Sequence, residues 1–247
     1  MQKFIMILKP KIFSVFSEIK AGMSTRLGGV SREPYGMNCS FRVGDAETDV
    51  AENRKTFFAN LDIPPGRIAS PRQEHTDIVK CVDAPGEFTH CDALITGVPN
   101  LFLSIMVADC LPVLLYDPQK KISAAVHAGW RGVASGIVQK TLRCMNEEWH
   151  SLPSAIHAFV GPSAGECCYE IGQETANHFK ESVLKERNRR LYLNLREGVR
   201  LQLLDEGIRP VNIEMRLECT ICNTMFHSYR RDGNRSGRMI AVIGRTN

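Results

Sequence analysis

The sequence lacks any apolar run of about 20 residues, the length that a bilayer-crossing helix requires, so no membrane partner is expected. It also lacks a strong excess of either charge. Its 31 Lys and Arg against 27 Asp and Glu leave a formal +4, too little to imply nucleic acid or anionic lipid as a partner, so any anion binding should be local. Histidine is scarce, with seven in the whole chain, too few to furnish several copper centres. No internal repeat, low-complexity tract or Pro/Ser/Gly linker divides the 247 residues, and one domain over 1–247 is the simplest expectation. At the N-terminus Lys3 and the apolar run Phe4 to Leu8 have the outline of a signal peptide, but Lys9, Pro10 and Lys11 end the run too early. The expected location is therefore the cytoplasm. There the nine cysteines, an odd number, would be free thiols or metal ligands rather than disulfides.

What is present is a normal globular content of 43% hydrophobic residues, enough for a sizeable core. From Ala46 to Leu61 the residues Val50, Phe57, Phe58 and Leu61 share one helical face, closed by Asp62 to Arg67 with its double proline. Leu101 to Val107, Pro112 to Tyr116 and Ile122 to Val126 are short apolar runs that read as buried strands, separated by Ala108-Asp109-Cys110 and by Asp117 to Lys120. Val133, Ile137, Val138, Leu142, Met145 and Trp149 recur at helical spacing and predict one amphipathic helix. A strand is expected at Ile156 to Val160, helices over Gly172 to Lys185 and Leu195 to Glu206, and strands at Val211 to Leu217 and Met239 to Ile243. The class is mixed α/β.

Polar residues at the ends of buried strands are the usual place for an α/β site. Cys110 precedes one strand and His127 follows another. Strands joined by a tight turn run antiparallel, so these two residues should lie side by side. A thiol beside an imidazole can become a nucleophilic thiolate or can ligate a metal, or the pair can be a buried small residue and a structural histidine. Sequence leaves these open. The stretch Ala128-Gly129-Trp130-Arg131-Gly132 adds close-approach glycines, an aromatic and a guanidinium, which suits a pocket floor. Among the remaining residues His75, in the polar cluster Arg72 to Thr76 between strand-like Ile68 to Ser70 and Asp77 to Val82, is the best third ligand. Two histidines and one thiolate would leave a fourth tetrahedral position open, as in catalytic zinc.

Other clusters carry less. Cys219-Thr-Ile-Cys222 has half of a zinc-ribbon spacing, but no second spaced pair accompanies it, so no structural zinc is expected there. The vicinal Cys167-Cys168 reads as packing. Arg230, Arg231, Arg235 and Arg238 in Ser228 to Arg238, and Arg26 in the glycine-containing Arg26 to Ser31, suit a phosphate or carboxylate. Lys185 to Arg190 reads as a solvated face.

Taken together, Arg26-Leu-Gly-Gly-Val-Ser31 with Asn38, Cys91-Asp-Ala-Leu-Ile-Thr96, Ala108-Asp-Cys-Leu-Pro-Val113, Val126-His-Ala-Gly-Trp-Arg-Gly132, Gly161-Pro162 with Tyr169-Glu170, and Phe226-His-Ser-Tyr-Arg-Arg231 resemble the YfiH family. That family has also been called laccase-like polyphenol oxidoreductases and peptidoglycan editing factor. The resemblance runs in order along nearly the whole chain. It implies an α/β sandwich similar to cysteine-hydrolase-like toxin domains, with mixed sheets flanked by helices. It also implies a cytoplasmic zinc enzyme that cleaves adenosine, inosine, guanosine or methylthioadenosine with phosphate and deaminates adenosine.

By motif the metal ligands would be His75, Cys110 and His127, which with Asp109 form the implied catalytic set. Arg26, Asn38, Gln73, Arg131, Arg230 and Arg231 would bind substrate. Two positions depart from the family pattern: Thr76 stands where a glycine is usual, and Ala164 replaces a larger aliphatic residue. Neither removes a ligand. For deamination a zinc would acidify the attacking water, with Asp109 or Glu74 as proton carriers; for phosphorolysis Arg26, Arg131 or Arg230 would hold the phosphate in line with C1′. The alternative is an amidase in which Cys110 attacks a peptidoglycan precursor with His127 as base. Copper in place of zinc, in a polyphenol oxidase, is the third reading.

Overall fold

A computed structural model describes residues 5–247; Lys3 and Phe4 of the N-terminal basic and apolar run lie outside it. Two six-stranded sheets lie face to face. The first has the order Ile7–Leu8, Ile19–Ser24, Met239–Arg245, Phe102–Val107, Ile68–Pro71, Gly86–Phe88, and the second Ile213–Met215, His157–Val160, Leu111–Asp117, Ile122–Ala128, Ala93–Thr96, Val79–Cys81. A small third sheet joins Glu170–Ile171, Arg190–Leu193 and Leu184–Arg187. This is the expected mixed α/β sandwich.

Strand alternation assigns each apolar side chain to a layer. Met239, Ala241 and Ile243 of the first sheet meet Leu114, Tyr116 and Ala125 of the second in the central core. Their alternating neighbours Ile240 and Val242 pack outward against Phe57 and Phe58 of the helix Glu47–Ala59 and Leu61 of the turn that follows it. On the other side Val113, Leu115, Ala124 and Val126 meet Ile137, Val138, Leu142 and Met145 of the helix Ile137–Trp149, with Val199 and Leu203 of Leu195–Asp205 beside them. The layers are thus helix, sheet, sheet, helix.

The hairpin that matters is set by its turn. Asp117 accepts the backbone N–H groups of Gln119 and Lys120 at 2.8 and 3.1 Å, an Asx turn, and the strands pair from Asp117↔Ile122 to Leu111↔Ala128. The short segment Ala108–Cys110 carries the chain from Val107 in the first sheet to Leu111 in the second. Residues 72–78 make a similar crossing, from Pro71 to Val79. Both crossings meet at one end of the sandwich.

Two predicted helices come out differently. The one expected over Val133 to Trp149 is broken at Gly136 (φ 78°), giving Trp130–Ala134 and Ile137–Trp149. The one expected over Gly172 to Lys185 keeps only Gln173–Ala176. Its far end becomes a strand because Asn188 and Arg189, both at positive φ (51° and 61°), form a two-residue hairpin loop between Arg187 and Arg190. Lys185 to Arg190 is solvated as expected, and forms the exposed tip of that hairpin.

Candidate functional site

Cys110 immediately precedes the strand Leu111–Asp117 and His127 is the penultimate residue of its neighbour Ile122–Ala128, with Pro112 directly opposite His127 in the register. His127 shares the inner face with Ser123 and Ala125 and is buried. The loop 72–78 brings in His75, whose Nε2 is 3.8 Å from Cys110 Sγ and whose ring stands edge-on to that of His127, centroids 4.9 Å apart. One ligand atom from each of the three lies within 4.8 Å of the others. Gly129 makes this possible: a Cβ there would fall 3.0 Å from His75 Cδ2 and 3.2 Å from Cys110 Sγ.

The residue that organises the site is Asp92, which the sequence reading passed over. It is fully buried and accepts the backbone N–H groups of Glu74, His75 and Thr76 at 3.1, 3.0 and 2.7 Å and the Thr76 hydroxyl at 2.9 Å. Its Oδ1 also binds His127 Nδ1 at 2.7 Å. Ala93 pairs with Val126, so Asp92 lies across from His127, and its backbone carbonyl accepts the His127 N–H at 2.8 Å. Burial alone would raise the Asp92 pKa, but the hydrogen bond and charge of His127 and the loop amides bring it down to about 2. An ionised Asp92 requires His127 Nδ1 to be the donor, which turns Nε2 to the site, the second-shell pattern of a metal-binding histidine.

Cys110 is set up as a thiolate. Burial opposes its ionisation, yet the charge and hydrogen bond of His127, followed by those of His75, lower its pKa to about 6. Burial likewise opposes protonation of His127, and the Cys110 and Asp92 charges outweigh it, raising it to about 9. Two imidazoles and a ready thiolate, one ring locked by a carboxylate, fit a borderline-soft divalent metal. His75 (φ 60°) and Asp109 (φ 83°), both in the left-handed region, flank the site, as strained residues often do at functional centres.

These groups open into a cavity of about 570 Å³, within the range of small-molecule sites. Gln73, His75, Asp109, Cys110, His127, Arg131 and Arg230 all line it. Arg42, Arg54 and Arg238 add three guanidinium groups, and Phe41, Trp130, Tyr169 and Tyr229 add aromatic faces. Of the five arginines only Arg42 is paired with a carboxylate, Glu87, among the described residues. Arg131 lies over Trp130, 4.5 Å from the ring centroid, and Arg230 over Tyr169 at 5.0 Å.

Arg26, Asn38 and Arg231 are not cavity-lining. Arg26 pairs with Glu33 at 2.7 Å, and buried Asn38 bonds Ser40, Asp45 and the Arg238 N–H. Arg231 grips Asp232 and three backbone carbonyls. Gln73 pairs both ways with the Met106 backbone at 2.7 Å. Both Asp109 oxygens are engaged, by Thr220 Oγ1 at 2.6 Å and the Arg230 N–H at 2.7 Å, and Glu74 reaches His90. The cysteines need a correction: Cys219 and Cys222 do have a second pair, because Cys167 and Cys168 fold against them.

Residues 20–246 match the family profile described as multi-copper polyphenol oxidoreductase laccase. The chain is 39% identical over 228 residues to a purine nucleoside phosphorylase of Deinococcus radiodurans, covering 90% of this chain and 87% of that one. The crystal structure of YlmD from Geobacillus stearothermophilus superposes with a TM-score of 0.90 at 32% identity, over 95% of this chain and 94% of that one. That of the hypothetical protein YfiH from Bacillus licheniformis does so with 0.86 at 31% identity, over 92% and 93%.

Proposed function

Because the chain belongs to this family, the YfiH family of multi-copper polyphenol oxidoreductase laccases, we propose that it is an enzyme, a zinc-dependent purine nucleoside phosphorylase that also deaminates adenosine. The observation that carries the reading is the meeting of a His75–Cys110–His127 ligand set with five guanidinium groups and four aromatic side chains in one cavity. No helix of the described residues is long and apolar enough to cross a membrane, and work in the cytoplasm is part of the proposal.

Phosphorolysis joins a phosphate oxygen to C1′ of the ribose as the C1′–N9 bond breaks and the purine leaves. The phosphate must be held close to C1′ and in line with the departing base. Arg54, Arg131 and Arg238, free of carboxylate partners among the described residues, supply the bidentate donors for it. Tyr169 and Tyr229 offer flat faces for the purine. Asp92 keeps His127 Nε2 turned inward and His75 on its loop. A zinc held by His75, Cys110 and His127 would supply Lewis acidity toward the substrate, and toward water in the deamination.

The test is release of hypoxanthine and ribose 1-phosphate from inosine by the purified protein. Release that requires phosphate and disappears in Cys110→Ala is expected; release independent of phosphate, or none with any purine nucleoside, overturns the phosphorylase. Ammonia release from adenosine reads the deaminase separately.

A second reading rests on the alignment of Cys110, His127 and Asp92, which is also the order of nucleophile, base and orienting carboxylate in a cysteine hydrolase. It predicts amide hydrolysis of a muramyl peptide precursor by metal-stripped protein, in which the zinc-dependent activities would be absent.

A further inference from the structure

The geometry points to a second metal site, a structural zinc held by the four thiolates of Cys167, Cys168, Cys219 and Cys222, which staples together two loops that back the cavity wall. The four sulphur atoms lie within 4.8 Å of one another. Cys167 Sγ and Cys222 Sγ are 3.8 Å apart, where a disulfide requires about 2.05 Å. Two thiolates on a tetrahedral zinc, each at about 2.3 Å from the ion, stand about 3.8 Å apart. The four-cysteine set is that of closed structural zinc sites, with no position left for substrate.

The surrounding backbone is shaped for thiolates. The Gly165 N–H points at Cys219 Sγ from 3.2 Å, and the Ile221 and Cys222 amides turn toward the same sulphur. The two loops approach closely only because Gly165 has no side chain: a Cβ there would be 3.0 Å from Cys219 Cβ and 3.3 Å from Cys167 Sγ. On binding, the thiols release their protons to solvent and the zinc tetrathiolate carries a net double negative charge.

Arginines stand beside these loops: Arg187 and Arg196, with no carboxylate partner among the described residues, offset that charge, and Arg231 is already paired with Asp232. Arg187 donates to the carbonyls of Glu166 and Cys167 at 2.6 and 3.1 Å. Arg196, buried, donates to those of Arg216 and Glu218 at 3.1 and 3.3 Å, and its Nη2 would be 2.6 Å from a Cβ at Gly165. Arg231 donates to those of Thr220 and Ile221 at 2.9 and 3.1 Å. Cationic groups thus clamp both cysteine-bearing turns in place.

The stapled loops reach the cavity. Thr220, between the last two cysteines, holds Asp109 Oδ1, and Ala164 donates its N–H to the Asp109 carbonyl at 2.9 Å. Tyr169, adjacent to Cys168, lines the cavity. The ion would therefore fix the part of the wall that carries Asp109 and Tyr169 without touching substrate.

The experiment is a metal count, by plasma mass spectrometry, on the full chain purified without chelator and dialysed in zinc-free buffer. Two zinc ions per chain are expected in the native protein, one in the His75→Ala/Cys110→Ala variant, and one in Cys167→Ser/Cys222→Ser. Cobalt exchanged into His75→Ala/Cys110→Ala should give the intense thiolate charge-transfer and red d–d bands of a tetrahedral four-sulphur site. Should the serine variant fail to fold, the count on His75→Ala/Cys110→Ala still decides. No ion retained by that variant overturns the site, as does a non-reduced mass lighter by the hydrogens of disulfides among the four cysteines.

Discussion

One buried carboxylate governs two histidines: Asp92 Oδ1 takes the His127 side chain at 2.7 Å and the His75 backbone N–H at 3.0 Å. The Asp92→Asn substitution keeps the shape but replaces one acceptor oxygen with a donor that faces donors. His127 loses the partner that fixes its tautomer. Zinc retention against a competing chelator should fall about 10–100-fold, while a retention equal to that of the native protein would show that the histidines are oriented by other means.

Thr76 stands where the motif resemblance implies glycine, and its hydroxyl gives Asp92 one more donor at 2.9 Å. Thr76→Val removes that donor while preserving bulk. Three backbone amides and His127 remain on the carboxylate, so the zinc content should stay the same. The stability read from urea unfolding should drop by about 1–2 kcal/mol. An unchanged midpoint would mean that the departure from glycine has no energetic role in the loop.

The Cys110–His127 pair was legible because its determinants are local: two apolar runs and an Asp-Pro turn fix a hairpin whose register needs nothing distant. His75 was recognisable as a polar residue between strands, although its contact with Cys110 depends on two inter-sheet crossings. Asp92 was not, because Ala93–Thr96 is four residues long and wholly buried, so no alternation marks it as a strand or places the preceding residue opposite His127. The cysteine quartet escaped for a related reason. Its halves lie on separate loops brought together at the isolated bridge Ser163↔Cys219, which no spacing rule encodes. The false helix toward Lys185 shows local turn chemistry at Asn188-Arg189 prevailing over apolar periodicity.

Arg131 and Arg54 face the cavity with no carboxylate partner among the described residues, so each should bind phosphate rather than an internal counter-ion. Arg131→Gln and Arg54→Gln should each raise the KM for phosphate by about tenfold, equivalent to about 1.4 kcal/mol, with a smaller change in the KM for inosine. Arg42→Gln is the comparison, since its guanidinium is already engaged by both Glu87 oxygens at 2.8 Å. Equal effects at all three positions would indicate a general loss of positive potential instead of direct contact.

His227 is fully buried, and neither ring nitrogen has a hydrogen-bond partner among the described residues. Burial, then the charges of Arg26 and Arg238, push its pKa down to about 3, whereas an unfolded histidine titrates near 6.5. Between those values the unfolded chain binds a proton that the folded chain does not. This contribution to stability is therefore complete above about pH 6.5 and is lost progressively as the pH falls toward 3. From pH 7 to pH 5 the loss should be on the order of 2 kcal/mol. His227→Phe removes the titration. Any fixed packing cost of the larger ring cancels when each protein is compared with itself at the two pH values, as do the other titrating groups when the two differences are subtracted. Urea unfolding should therefore give a markedly smaller acid-side loss for the variant, and identical losses would mean that His227 accepts its proton in the folded protein as readily as in the unfolded chain.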